Sequence, residues 1–264
     1  MSNFFEQRTH DSQIAFFSVL YNPSANAVAN IRRSIESGFT PYVYINRADD
    51  GILRELRSLP VFTLGTNENV GLGPAFHHFE KLAIDRHIPY FIYFDQDTVV
   101  EESAWAKISK TFLREFDNPG IGLLYYTANR KLPSSPKVAI SSGCLFSLDV
   151  VRRIGEHDPT YFVEGVDYEF CLRLREEGLR IQTVFIEGID HLSLQDGITR
   201  NIAGIDFKLR YYGLGRLRDF NRSHRKLIWR SIRKQDYTMA KFFIESAVKF
   251  NIKNIFSKIA LIGR

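Results

Sequence analysis

The chain has 264 residues, 44% of them hydrophobic and 25% charged, enough to bury one large core with an appendage. Two cysteines, Cys144 and Cys171, are too few and too far apart for a disulfide framework or a cysteine-based zinc site, and they suit a reducing compartment. Met1 to Ser12 is polar and no stretch reaches the roughly 18 uninterrupted apolar residues of a membrane span, so neither secretion nor a spanning helix is expected.

The formal net charge of +5 conceals an asymmetry. Residues 201–264 hold 15 Lys and Arg against 4 Asp and Glu, whereas the remainder holds 20 against 26. The positive field therefore belongs to the last quarter, where Arg216, Arg218, Arg222, Arg225, Arg230 and Arg233 could meet anionic lipid headgroups, nucleic acid or a lipid-linked diphosphate. A solvated helix face is the plainer reading of the same run.

In chain order, Ile14–Tyr21 reads as a buried strand, and Ser24 as the cap of a helix with Val28, Ile31 and Ile35 inside and Gly38 as its stop. Tyr42–Ile45 is a second strand, Asp50–Leu56 a short helix and Val61–Leu64 a third strand. A helix over Gly73–Arg86 leads into Tyr90–Phe94, the most strand-like run in the chain. This alternation predicts a parallel sheet covered on both faces. Further on, Ile121–Thr127 and Val138–Ser141 read as strands, Asp149–Ile154 and Asp167–Glu177 as helices, and Ile181–Ile186 as a strand followed by a loop through His191. From Ile205 the pattern becomes basic and helical, and Val248, Ile252, Ile255, Phe256 and Ile259 fall on one amphipathic stripe that either packs on the domain or meets a membrane. The expected division is residues 1–200 and 201–264.

Two acidic clusters carry the chemistry. Asp95-Gln96-Asp97 directly follows the Tyr90–Phe94 strand, and in an open α/β sheet ligands bind beyond the carboxyl ends of strands. Two acids two apart there can hold a hard divalent cation, which takes one or two carboxylates and completes its shell with water and phosphate oxygens. Capping of a following helix by Asp97 or Thr98 is the alternative. The second cluster spans Glu164 to Arg173. Asp167 stands at the start of a helix, where first-turn acids are ordinary, but helix capping does not account for the flanking Glu164 and Glu169. A carboxylate here can act as the base for an acceptor hydroxyl.

Taken together over Gln13–Leu194, the chain resembles the family 2 glycosyltransferases of the GT-A fold, most closely their rhamnosyltransferase-like branch. The resemblance rests on Phe17–Pro23, Asn69-Val70-Gly71-Leu72-Gly73, Asp95-Gln96-Asp97, Ser141–Phe146 and Glu164–Arg173. It implies an α/β Rossmann-like domain, with a mostly parallel central sheet flanked by helices and a basic helical C-terminal extension. It also implies an inverting, metal-dependent transfer in which Asp167 is the catalytic base and Asp97, Asp95 and His191 bind Mg²⁺ or Mn²⁺. Asn22, Pro23, Asn46, Asn69, Gly71 and Gln96 would contact the donor, and Ser142, Gly143, Glu164, Glu169 and Arg173 the acceptor.

The partners so implied are a dTDP- or UDP-linked sugar, with rhamnose as the best candidate, and a glycan or polyprenyl-linked acceptor of cell-surface polysaccharide. The expected site of action is the cytoplasm, peripheral on the inner face of the cell membrane, with the basic extension on anionic lipid and no nucleic acid bound. Arg210-Tyr211-Tyr212 is similar to a tyrosine-rich basic stretch that trails the catalytic domain in these enzymes. The chain departs from the family pattern at Ile45-Asn46-Arg47, where many relatives carry an aspartate-asparagine pair, and at His77 and His78, where relatives often have an asparagine. The alternatives are the same chemistry with a UDP-hexose or UDP-galactofuranose donor, and a non-catalytic nucleotide- or nucleic-acid-binding module.

Overall fold

The computed structural model describes residues 14–116, 118, 120–191, 198–202, 205–209 and 213–262; Arg210-Tyr211-Tyr212 lies outside them. Two compact units emerge: the described residues through Phe162 with Val166–His191, and Val163–Gly165 with the described residues after His191.

The first unit is built on a seven-stranded sheet with strand order β3-β2-β1-β4-β7-β6-β8. Its strands are β1 (Ile14–Tyr21), β2 (Thr40–Arg47), β3 (Phe62–Leu64), β4 (Tyr90–Tyr93), β6 (Ile121–Thr127), β7 (Cys144–Ser147) and β8 (Arg180–Phe185). All pairings are parallel except those of β7, which runs antiparallel to both β4 and β6. The helices are α1 (Ala25–Glu36), α2 (Asp50–Arg57), α3 (Leu72–Asp85), α4 (Glu102–Phe116), α5 (Leu148–Ile154) and α6 (Val166–Glu176). Ser24 occupies the N-cap of α1 without a capping side-chain bond, whereas Asp49 caps α2 through Ile52 N–H.

Strand alternation sends the adjacent Phe16 and Phe17 to opposite faces of the sheet. Phe16 meets Trp105 of α4 edge-on with ring centroids 5.1 Å apart, while Phe17 stacks on Phe79 of α3 at 4.2 Å. Each of these aromatics is almost wholly buried, so both faces of β1 are packed, as its unbroken apolar run requires.

Three expectations give way. Val138–Ser141 is not a strand; the antiparallel strand is Cys144–Ser147, because residues 139–143 form the turn that crosses between β4 and β6. Gly143 N–H donates to Tyr93 O at 2.8 Å and Tyr126 N–H to Gly143 O at 2.8 Å. A Cβ at Gly143 would collide with the Tyr126 carbonyl, so only glycine fits that crossing. Second, Asp97 does not lead directly into a helix. Thr98–Val100 forms β5, paired antiparallel with β9 (Ile189–His191), which puts His191 on a strand opposite Thr98 and removes the helix-capping reading. Third, the basic region does not begin as helix: β10 (Ile198–Ile202) and β11 (Ile205–Leu209) pair antiparallel before α7 (Leu214–Arg233) and α8 (Tyr237–Ile262).

The loop before α6 is anchored on α3. His157, fully buried, donates its backbone N–H to Glu80 Oε2 at 2.7 Å, and its Nδ1 lies 2.6 Å from Glu80 Oε1. This seats the carbonyl of Phe162 on the first turn of α3, where Leu72 N–H donates to it at 2.5 Å and Gly73 N–H at 3.3 Å. The approach is so close that a Cβ at Gly73 would strike the Tyr161 carbonyl oxygen. Overpacking against backbone typically costs about 1–3 kcal/mol, so Gly73→Ala should lower the unfolding free energy measured in denaturant melts by that amount. A melt identical to wild type would contradict the contact.

Candidate active site

The carboxyl ends of β1, β2 and β4 gather the first group of expected residues. Three side-chain amides fix the turns there. Gln96 bonds the main chain of Tyr21 twice, accepting from its N–H at 2.7 Å and donating to its C=O at 2.9 Å. Asn46, buried, accepts from Val70 N–H at 3.1 Å and donates to Gly71 O at 3.0 Å, and Asn69 accepts from Gly71 N–H at 3.1 Å. Asn22, at φ 46°, donates its N–H to Arg47 O at 2.7 Å and is followed by the partly exposed Pro23. Of the expected donor contacts, Gln96, Asn46 and Asn69 thus spend their amide groups on shaping the turns.

A continuous run of short contacts joins the two acidic clusters. Ser141 N–H faces Asp167 Oδ2 at 3.4 Å, and the neighbouring Ser142 Oγ accepts from Asp95 N–H at 3.0 Å. Ser142 Oγ also lies 2.8 Å from Thr98 Oγ1, which lies 2.8 Å from His191 Nδ1. Asp167, Ser142, Asp95 and His191 are therefore neighbours although they come from four separate parts of the chain.

The electrostatics follow from this crowding. Tyr93 donates its hydroxyl to Asp95 Oδ1 at 2.7 Å. Burial, reinforced by the Asp95, Asp167 and Asp97 carboxylates, holds the Tyr93 phenol well above its ordinary pKa, so it remains a donor. Burial raises Asp95 to about 6, opposed by the Tyr93 bond and assisted by Asp97. Burial lowers His191 below its usual value despite the nearby Asp97 and Asp190 carboxylates, which keeps the imidazole neutral near pH 7. Both thiols beside Asp167 are pushed up by burial, Cys171 to about 12, so they remain protonated.

Among the described residues no three or more His, Cys, Asp or Glu side chains are gathered as a ready-made metal site. What is present suits a cation that borrows ligands from its substrate. His191 Nε2 is buried without a hydrogen-bond partner. With the Nδ1 proton donated to Thr98 Oγ1, the Nε2 lone pair is left for a metal, the usual arrangement of a histidine ligand oriented by its second nitrogen. The Asp97 carboxylate acts on that same ring. Asp95 is already committed through one oxygen to Tyr93.

Three expected acceptor residues are engaged by other groups of the protein. Glu169 and Arg173 form a buried pair one helical turn apart, with Arg173 Nε 2.8 Å and 3.0 Å from the two carboxylate oxygens, and Arg173 Nη1 donates to Ile154 O and Gly155 O. They bind α6 to the end of α5. Glu164 belongs to the second unit, where Arg216 holds it at 2.5 Å and Asp219 accepts the N–H groups of Val163 and Glu164. Sequence reading missed Tyr93 and Thr98. A tyrosine in an otherwise apolar strand, two residues before an aspartate, was the available signal, because a buried phenol needs a partner.

No family model matches the chain. The dTDP-rhamnosyl transferase RfbF of Shigella flexneri is 24% identical over 200 residues, 66% of this chain and 67% of that protein. Residues 1–349 of S. aureus TarS, solved in complex with UDP-GlcNAc, superpose with a TM-score of 0.56 at 12% identity over 88% of this chain and 71% of that one. The chain has the GT-A fold. It spans only 36% of the longer TarS structure, which matches with a TM-score of 0.50 at 14% identity. In this GT-A sheet the Asp95-Gln96-Asp97 turn follows a central parallel strand and Asp167 opens the helix before β8.

Proposed function

We propose that this chain is an inverting glycosyltransferase that moves a sugar from a nucleoside diphosphate to an acceptor hydroxyl. The observation that supports it best is the Ser141-Ser142 dipeptide, which touches Asp167 on one side and Asp95 on the other. In this reading Asp167 takes the proton of the acceptor hydroxyl as that oxygen attacks the anomeric carbon from the face opposite the leaving diphosphate, which inverts configuration. Asp97 and the neutral His191, with Asp95, would hold Mg²⁺ or Mn²⁺. Such an ion, when bound, neutralises charge on the departing diphosphate, a contribution of several kcal/mol. Tyr93 keeps Asp95 oriented, and Gln96, Asn46 and Asn69 hold the turns that line the donor side.

The donor of first choice is dTDP-rhamnose, following RfbF, and the acceptor a glycan or polyprenyl-linked sugar of cell-surface polysaccharide. A UDP-hexose or UDP-galactofuranose is the second reading, favoured by the UDP-GlcNAc complex of TarS. A melting screen of nucleotide sugars with and without Mn²⁺ or Mg²⁺ separates them. The expected result is a rise in melting temperature with dTDP-rhamnose that needs the cation. No response to any nucleotide sugar, together with stabilisation by oligonucleotides, would favour a nucleic-acid-binding module and end this reading.

A further inference from the structure

Glu80 is an acid that the transfer chemistry leaves unused. It lies in the middle of α3, and its side chain is wholly buried, as is that of its partner His157. The surroundings are aromatic. The His157 ring is stacked between Phe76 of α3, 4.2 Å away, and Phe170 of α6, 4.4 Å away and within 10° of parallel, while Phe146 of β7 meets it edge-on at 5.5 Å. Glu80 engages the backbone N–H of His157 through Oε2 and the ring Nδ1 through Oε1, which fixes the angle of the ring between its neighbours. The other ring nitrogen, Nε2, is buried without a partner, so the side-chain bond that orients the imidazole is the one to Glu80.

Packing alone does not call for such a pair. Apolar side chains of similar size fill a buried site as well or better, because internal hydrogen bonds only partly offset the lost hydration of a buried polar pair. What directional bonds add over apolar packing is a single orientation. That orientation reaches the proposed base. Phe170, flat on His157, stands three residues after Asp167 on α6. Arg173 sets its guanidinium 5.2 Å over the Phe170 ring and donates to the Ile154 and Gly155 carbonyls, just ahead of His157. On the other side, Glu80 lies eight residues beyond Leu72 on α3, about 12 Å along the axis from the donor-side turn at Gly71. One helix therefore begins at the donor-side turn, the other begins at Asp167, and Glu80 with His157 forms a buried, directional contact between them.

We infer that Glu80 and His157 are positioning residues, which fix α6 against α3 and so set where the Asp167 carboxylate stands relative to the donor. The inference rests on Asp167 being the base of the proposed transfer.

The test compares the full-length wild type with a variant combining Glu80→Gln and His157→Phe. The combination keeps an oxygen for the backbone N–H at position 157 and a flat ring between Phe76 and Phe170, and removes only the bond that sets the ring's angle. With dTDP-rhamnose and Mn²⁺, and released dTDP as the readout, kcat should fall about ten-fold or more, since a misplacement of about 1 Å can cost 10²-fold. Donor KM and the melting shift given by donor and cation should not change. In an Asp167→Asn background the two substitutions should cause no further loss, because they act through that side chain. Independently of any donor, amide hydrogen exchange in the first half of α6 should rise at least ten-fold while that of β1 stays as in the wild type. Phe170→Leu, which leaves Glu80 and His157 bonded, should give the same pattern and serves if the combined variant does not fold. Wild-type kcat in a folded variant, an equal loss in the Asp167→Asn background, or unchanged exchange in α6 would each overturn the assignment. Wild-type turnover by Asp167→Asn alone would instead remove the base reading, and this inference with it.

Discussion

Asp167→Asn should fold, bind donor and cation as the wild type does, and lose transfer by about 10²- to 10⁴-fold, the usual contribution of a positioned base. The substitution keeps the shape of the side chain and leaves an oxygen for Ser141 N–H, the contact that holds the carboxylate at 3.4 Å. Tyr93, Tyr125 and both thiols near Asp167 are held protonated and neutral, so the change removes no ion pair with them and should not lower stability. The discriminating measurement is single-turnover transfer beside donor-induced melting. Loss of both would make Asp167 a structural acid, and wild-type turnover would remove it from the reaction. Loss of transfer with donor binding intact is the expected outcome.

Asp95→Asn should make the cation-free protein more stable near neutral pH. Burial raises the folded-state pKa of Asp95 to about 6 from 3.8, so between roughly pH 4 and 6 the native state keeps a proton that the unfolded state has already released. Stability from this group therefore falls as pH rises through that window, and the full penalty stands above it. At 1.36 kcal/mol per pKa unit the penalty is about 3 kcal/mol. Asparagine carries no such charge and still accepts the Tyr93 hydroxyl. The variant should exceed the wild type by up to about 3 kcal/mol in denaturant melts at pH 7.5, and the two should converge near pH 4. The same variant should gain less from Mn²⁺ plus donor, because a site that keeps buried carboxylates together trades stability for ligand affinity. Equal stability at pH 7.5 would show that Asp95 is not held in a desolvated, repulsive environment.

The outline of the first unit was legible because its elements are long and periodic. Ile14–Tyr21 is a strand over its whole predicted range, Ile121–Thr127 likewise, and Tyr90–Tyr93 ends one residue short of the reading. Each is an apolar run with turn residues at its ends, and such runs are buried wherever the sheet places them. Val138–Ser141 misled for the same reason: three apolar residues in a short span resemble a strand, but the backbone there is used to turn beneath Asp167 and Asp95. Thr98–Val100 and Ile189–His191 were invisible as strands because each is three residues long and exists through pairing with a partner about ninety positions away.

The site divides along a similar line. Residue type marked Asp95 and Asp97, since two acids just after a buried strand are costly unless something uses or neutralises them, whereas Asp167 stood out through the acids flanking it and the resemblance to the family motif. The resemblance also implied Glu169 and Arg173 as acceptor contacts, and the helix geometry, which sets them four apart and folds them inward, makes them a buried pair. The amides of Gln96, Asn46 and Asn69 tell the same story.

By itself, then, the sequence determined the alternating α/β order, the basic and amphipathic end of the chain, and the identity of the acids, because these depend on local periodicity and composition. The tertiary structure decided the reversal of β7, the meeting of Asp167 with Asp95 across Ser141-Ser142, and the pairing that brings His191 to Thr98. Each of these is a contact between residues far apart in the chain, and its free energy exists only once both partners have been brought together.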